Sequence, residues 1–349
     1  MPVRYGDGYA VPYKIFTLIF PDMNESNLEH LKKELEDLKF GFPVQEALEK
    51  NLQLQLPDFQ LRHAVPTEKG QVDFTLHFRK SNQSDFYFFN KYDASLSKIP
   101  PLEKGQKFMV VSSDPQARKS SFITFQSPVE AIRHFKKLEG THELAVGRNV
   151  KDKTTLATKQ DGKVSLVEEN FKQTFYKPDV SHTFYLDKGK GFTAEQASNL
   201  LQGRSVFRDD FVSLEGQRYQ AWTRIDFDQP KDQHGNHVLA QYHHPAYGFD
   251  QEKALEKYAL KEMEDPAAKA ALLQALRQGE RPLVTTMKDG QETQVFLEAS
   301  PRFKNFNIFN TEGKQEKREQ FEKKPEVGIR MEKGITHSRG EESGLAVSV

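Results

Sequence analysis

The densest grouping of side chains able to do chemistry falls between residues 226 and 244, where Asp226, Asp228, Asp232, His234, His237, His243 and His244 cluster. Imidazoles and carboxylates together bind zinc, manganese or non-haem iron. His234, His237, His243 and Asp228 are the set from which such a site would be drawn. Their spacing fits no established ligand signature, and His234 and His237 straddle an expected hairpin turn. A solvated turn followed by strand-facing histidines accounts for the same residues. A second candidate is Lys188-Gly189-Lys190-Gly191, just ahead of Thr193. Outward backbone amides, a favourable helix dipole and two lysines can hold an anion there. No Gly-Lys-Ser/Thr follows at Walker spacing, and ordinary turn chemistry explains the pattern as well. A third is the interleaving of aromatic and basic residues at Arg302-Phe303-Lys304-Asn305-Phe306 and again over 86–92. Rings beside positive charge grip single-stranded nucleic acid by stacking, whereas the same alternation also drives phenylalanines into the core of a sheet. Lys188, Lys190, Arg302, Lys304 and Phe306 are therefore the candidate nucleic-acid or anion-binding residues. No Ser/His/Asp constellation follows from chain order, and Glu168-Glu169 and Glu341-Glu342 lie in charged stretches. No catalytic residue is assigned and no cofactor is specified.

Composition narrows the classes. The chain has no cysteine, which removes disulfides, thiolate nucleophiles and sulfur-ligated zinc and agrees with a reducing compartment. Lys+Arg and Asp+Glu both number 50, whereas a dedicated duplex-DNA binder carries a net basic footprint. A local basic face remains open. The apolar run at 13–20 is too short for a bilayer, which takes roughly 20 residues. Pro21-Asp22 ends it, so it reads as a strand or tethered arm and not as a signal peptide. A cytoplasmic protein with no membrane partner is expected.

The elements that must position these residues follow from periodicity. Leu28, Leu31, Leu35 and Leu38 make one helical stripe after Asn24 or Ser26, with Gly41 where a C′ residue would sit; Pro43 opens a second helix. Alternation over 59–65 and 72–78 predicts a hairpin, and 85–89 a third strand. Next come a strand at 122–125, a capping box at Ser127-Pro128-Val129-Glu130, its helix, and a strand at 144–146. This is a strand–helix–strand crossover of the kind that pairs parallel strands. From 184 the pattern gives a strand, a capping box at Thr193 and Gln196, a hairpin turning at Gln233-His234-Gly235-Asn236, and helices after Asp250 and Asp265. A second hairpin turns at Asp289-Gly290, and an edge strand covers 306–309. Charge dominates after Gly313, and disorder is expected over 325–349.

One succession carries a resemblance. It runs from Gly191 through Thr193-Ala194-Glu195-Gln196 to Gly203-Arg204, then Glu215-Gly216, Tyr219, Ala221-Trp222 and Tyr247-Gly248-Phe249-Asp250. It closes with Lys288-Asp289-Gly290 and Glu298-Ala299-Ser300-Pro301-Arg302-Phe303. Together these resemble a Bacteroidetes domain family of unknown function, usually encoded on conjugative or other mobile genetic elements, some members of which are labelled topoisomerase-like. The stretch 80–92 resembles the module that precedes it in such proteins. The likeness spans most of 25–310 and implies a neighbourhood, not a mechanism. A weaker likeness links Phe125-Gln126-Ser127-Pro128-Val129-Glu130-Ala131 and Leu144-Ala145-Val146-Gly147 to the opening of the Toprim fold. That family holds magnesium with a glutamate after its first strand and an Asp-x-Asp pair. Here Gln126 stands at the first position, and Asp226-Phe227-Asp228 lies too far along to serve as the second. The likeness therefore implies a lost metal site.

The resulting expectation is an α+β protein: a helix-plus-sheet module at 1–100, a strand–helix–strand segment at 101–180, an α+β module at 181–312 and a charged flexible tail at 313–349. The leading functional expectation is a non-catalytic accessory protein of a mobile element. Its partner would be single-stranded nucleic acid or an element-encoded transfer or replication protein. The alternatives are a divergent metal-dependent enzyme acting on nucleic acid, and a host-interaction or self-assembling protein that touches none.

Overall fold

The computed structural model describes residues 23–99, 102–112, 121–176 and 180–323; the apolar run at 13–20 and the tail at 325–349 lie outside them. The leucine stripe builds helix α1 (Glu25–Asp37), capped by the Asn24 side chain, which accepts from the Asn27 N–H. Lys39, not Gly41, takes the left-handed position after it (φ 63°), and Gly41 instead caps α2 (Phe42–Gln53). Both helices pack against antiparallel strands β1 (Asp58–Thr67), β2 (Gly70–Lys80) and β3 (Tyr87–Ser97). Strict alternation on β2 sends Val72, Phe74, Leu76 and Phe78 inward and leaves Asp73, Thr75 and His77 on the other face. Inside, Phe78 stacks between Phe59 and Phe89 at ring separations of 4.9 and 4.8 Å.

The chain then leaves this sheet to build a second one. Strands β4 (Lys107–Ser112) and β5 (Ser121–Phe125), helix α3 (Pro128–Lys137), strands β6 (His142–Gly147), β7 (Lys153–Gln160) and β8 (Lys163–Val167), and a short α4 (Lys172–Tyr176) form its body. The order is β5-β4-β6-β7-β8. β5 and β6 point the same way, yet β4 lies between them and pairs antiparallel with both. The crossover over α3 therefore spans β4 and does not pair parallel neighbours. Ser127 caps α3 as expected, but Glu130 does not close a box; it binds Arg62 of β1 at 2.7 Å.

On returning, the chain adds β9 (Val180–Tyr185) beside β3, giving the order β1-β2-β3-β9. The expected module starting at 181 thus contributes its first strand to the first sheet. Helix α5 (Ala194–Leu201), with its Thr193/Gln196 capping box, joins the same core through Ala197 and Leu200. A three-stranded sheet follows: β10 (Val206–Val212), β11 (Arg218–Asp226) and β12 (Val238–His244). It serves two cores at once. Val206 and Ile225 belong to the first, whereas Trp222 belongs to a C-terminal core. The latter is completed by α6 (Gln251–Leu255), α7 (Pro266–Arg277), β13 (Leu283–Lys288), β14 (Gln291–Ser300), β15 (Asn305–Phe309) and β16 (Gln315–Glu316). Residues 313–323 are therefore not a tail: β16 pairs with β15, and Phe321 is buried in the C-terminal core.

The first and C-terminal cores are joined by buried charge. Glu298 of β14, 8% exposed, accepts from Arg281 at 2.7 Å and lies 4.0 Å from Arg204, itself 5% exposed. Arg204 and Arg281 both reach Glu68, in the β1–β2 turn, at 2.6 and 3.4 Å. Beside them Gly279 admits no side chain, since a Cβ there would meet Val206 at 2.8 Å and the Ser205 carbonyl at 3.0 Å. Removing the Glu298 carboxylate leaves two largely buried guanidinium groups with only the half-exposed Glu68 to balance them. Glu298→Gln should therefore lower stability by about 3 kcal/mol, whereas Glu68→Gln, whose side chain is 56% exposed, should cost under ~1 kcal/mol. Urea titration followed by fluorescence of Trp222, the single tryptophan, checks both; equal costs would show that burial is not what makes Glu298 matter.

Candidate functional site

No described helix covers the central outer face of the first sheet, because α1, α2 and α5 all pack on the inner one. Register places the outward side chains in rows across β1, β2, β3 and β9. At the open end stand Asp58, Arg79 and Phe88, followed by Gln60, His77, Lys91 and Tyr185. Deeper in come Arg62, Thr75, Asp93 and Thr183, and last Ala64, Asp73, Ser95 and Ser181. Phe88 is 50% and Tyr185 63% exposed, so two aromatic rings lie on the surface with Arg79 and Lys91 as their direct cross-strand neighbours. An irregular step in β3 opposite His77 and Phe78 accommodates Asn90 and helps turn Lys91 outward.

The deeper rows are the floor of a cleft of about 830 Å³. One wall is Gln126 with the α3 face carrying Val129, Glu130 and Arg133; the other is the turn between β11 and β12, with Lys231, His234 and Asn236. Each wall is pinned to the floor. Ser127 Oγ donates to Asp73 at 2.9 Å, and Arg62 binds Glu130. Opposite, the Thr183 N–H donates to the Asn236 side chain at 2.8 Å, and Asp232 holds the turn by accepting from the N–H groups of His234 and Asn236.

A hydrogen-bonded line crosses the floor from strand to strand. Gln60 Nε2 lies 3.3 Å from His77 Nδ1, His77 Nε2 lies 2.7 Å from Asp93, and Asp93 accepts from the Thr183 hydroxyl at 2.6 Å. Bonding to the carboxylate assigns the His77 proton to Nε2, with Gln60 donating to Nδ1. Burial raises the Asp93 pKa, but hydrogen bonds from His77 and Thr183 outweigh it and hold the carboxyl below its ordinary range. This line satisfies every group in it and fixes the floor without leaving a free base.

The residues singled out from sequence scatter differently. His234 lines the cleft, whereas His237 packs edge-on against Phe227 and His243 lies over Tyr219. His237 and His243 are separated by nearly the whole of β12, about 20 Å at strand rise, and Asp228 lies beyond β11. Strand geometry thus pulls this set apart, and no three His, Asp or Glu side chains among the described residues converge as metal ligands. Phe306 is fully buried and unavailable for stacking. Arg302, Phe303 and Lys304 are all exposed, with the Arg302 guanidinium 5.6 Å from the Phe303 ring and the Lys304 ammonium 5.0 Å from the Tyr247 ring. Lys188 and Lys190 flank a turn in which Gly189 sits against the Glu34 carboxylate, so an acid already occupies its surroundings. The 86–92 segment divides as alternation requires: Phe86 and Phe88 are exposed, while Tyr87, Phe89 and Tyr92 are buried. Arg62, His77, Asp93, Arg133 and His182 were not singled out from sequence. Only the outward phase of β1, β2 and β3 hinted at the first three.

No protein-family model matches the sequence, and no curated protein or solved structure was found to be similar to it. No described helix is long and apolar enough to cross a membrane.

His182, 7% exposed at the cleft border, has no partner at Nδ1. Burial first, and the neighbouring His237 next, push its pKa down to about 4, against a weaker opposing pull from Asp232. Between that value and the ordinary 6.5, the unfolded chain binds a proton that the native state refuses. Stability is therefore intact above about pH 6.5 and lost as pH falls toward 4, by roughly 3 kcal/mol. The Asp93 contribution disappears at lower pH still, below the ordinary carboxylate value. Urea midpoints from pH 7.5 to 4.5 should fall steeply for the wild type and less for His182→Gln; parallel curves would contradict the assignment.

Proposed function

We propose that this protein is a non-catalytic binder of single-stranded nucleic acid, which it takes on the outer face of the β1-β2-β3-β9 sheet. The observation that carries the reading is the pairing of two exposed rings, Phe88 and Tyr185, with Arg79 and Lys91 on adjacent strands. Unpaired bases stack on such rings while phosphates meet the flanking cations, and a sheet face of this kind accepts a strand with splayed bases but not a closed duplex. Zero formal net charge is compatible with it, because Arg79 and Lys91 put local positive charge beside the rings. The family resemblance supports the setting, an accessory protein of a conjugative or other mobile element, where single strands arise during transfer and replication.

Fluorescence anisotropy with labelled single-stranded DNA, single-stranded RNA and duplex checks the reading. Tyr185→Ala and Phe88→Ala should each weaken single-strand binding about tenfold, within the range of one stacked base. Arg79→Gln with Lys91→Gln should flatten the salt dependence, lowering the slope of log K against log salt by about 1.4. Phe303→Ala should have little effect, because that ring lies between β14 and β15, outside the first sheet. Absence of single-strand binding at low salt, or binding indifferent to Tyr185 and Phe88, would refute the proposal.

A further inference from the structure

The cleft differs chemically from the aromatic end of the same sheet. Leaving its histidines aside, it is lined by three acids (Asp73, Asp93 and Glu130) and three basic side chains (Arg62, Arg133 and Lys231). With no net formal charge, it offers a ligand hydrogen bonds rather than a charged clamp. Arg62 and Glu130 neutralise each other at 2.7 Å, and Arg133 and Lys231 are exposed. On the floor Asp93 is held from two sides: Oδ2 lies 2.7 Å from His77 Nε2, and Oδ1 accepts from the Thr183 hydroxyl at 2.6 Å. One bond on each oxygen fixes the plane of the carboxylate and leaves each oxygen a further lone pair. The side chain is 45% exposed and lines the cleft, so a ligand can reach it. Its hydrogen bonds keep it ionised at neutral pH, and an ionised carboxylate accepts but does not donate.

Register sets this carboxylate beside the exposed rings. Asp93 is the cross-strand neighbour of Thr183, which lies two residues along β9 from Tyr185, about 7 Å at strand rise. That is twice the roughly 3.4 Å per nucleotide of a stacked strand. A strand with one base on Tyr185 therefore carries a splayed neighbouring base over Asp93. The cleft volume of about 830 Å³ suits a base, since pockets for small ligand groups run roughly 300–1,000 Å³.

Resting on the single-strand reading above, we infer that the cleft reads one guanine of the bound strand, whose N1–H and N2 amino group donate side by side to the two oxygens of Asp93. Two adjacent acceptors with no donor call for an edge with two adjacent donors, and among the common bases only guanine has one. Cytosine and adenine offer an amino group beside a ring-nitrogen acceptor, and thymine or uracil a single N–H between two carbonyls. Each of these sets a lone pair against one Asp93 oxygen, and a contact of that kind loses the bidentate bond that gives base discrimination.

The test uses single-stranded oligothymidylates of one length whose central base is guanine, adenine, cytosine, thymine or hypoxanthine, on wild type and on Asp93→Asn. The readout is the affinity ratio to the all-thymine strand within each protein, which cancels the change in net charge. The guanine strand is expected to bind wild type about tenfold tighter, a gain of about 1.4 kcal/mol. Hypoxanthine, which keeps N1–H and lacks the N2 amino group, should lose most of that gain without any change to the protein. In Asp93→Asn, whose amide presents only one acceptor, the guanine ratio should fall to near one; matching thermal melts establish that the variant is folded. Equal binding of all the strands to wild type, or preference for another base, would overturn the guanine reading and leave the sheet reading standing. A guanine preference that survives in hypoxanthine or in Asp93→Asn would overturn the role of Asp93. No binding of any strand would overturn both readings.

Discussion

The buried carboxylate of Glu298, shared between Arg204 and Arg281, sets where the C-terminal core sits against the first. Charges taken out of water cost several kcal/mol each and are tolerated only in geometry that returns most of it. Burial lowers the Arg204 pKa first, and attraction to Glu68 and Glu298 works against that fall. Lys69 completes the arrangement by donating to the Gln202 carbonyl at 2.7 Å, so the β1–β2 turn, the end of α5 and β14 meet at one charged point. These pairs tie the β1–β2 turn to β14 at a defined point. The β11–β12 turn that forms one wall of the cleft belongs to the sheet lying between these two cores, so its placement inherits that register.

From this constraint comes a sheet with two chemical faces. The inner face is a continuous aromatic and aliphatic core running from Phe59 through Phe78, Phe89, Tyr92 and Phe184. Tyr92 is fully enclosed, and its hydroxyl donates to the Phe192 carbonyl, which ties α5 beneath the site. The outer face is polar at one end and aromatic at the other, and its strands are anchored from below by the core. A face anchored in this way would lower the ordering cost of the proposed strand binding.

Local elements were legible in the sequence where one chemical rule dominated. The leucine stripe of α1, the Thr193/Gln196 box, the Ser127 cap and the Asp289-Gly290 turn all formed, since each depends on neighbours within a few residues. β4 was not, because 108–111 is buried throughout and gives no alternation to read. Nor was the return of β9 to the first sheet, a pairing across more than eighty residues that local pattern does not encode. The candidate site failed for the same reason. His234, His237 and His243 are neighbours in sequence, but a strand holds them apart. Conversely, Arg62, Arg133 and Lys231 lie far apart in the chain and share one cleft. Alternation alone separated Phe88 from Phe89, and no periodicity argument reached Tyr185 as its partner.

The outer face of the first sheet is the surface proposed to meet a strand. Photocrosslinking of a single-stranded oligonucleotide carrying photoreactive pyrimidines, with the attachment sites mapped by mass spectrometry, tests this most directly. Attachment should concentrate at Phe88 in β3 and Tyr185 in β9 and fade when either is replaced by alanine. Attachment confined to Phe303 and its surroundings, or spread without preference over the surface, would contradict it.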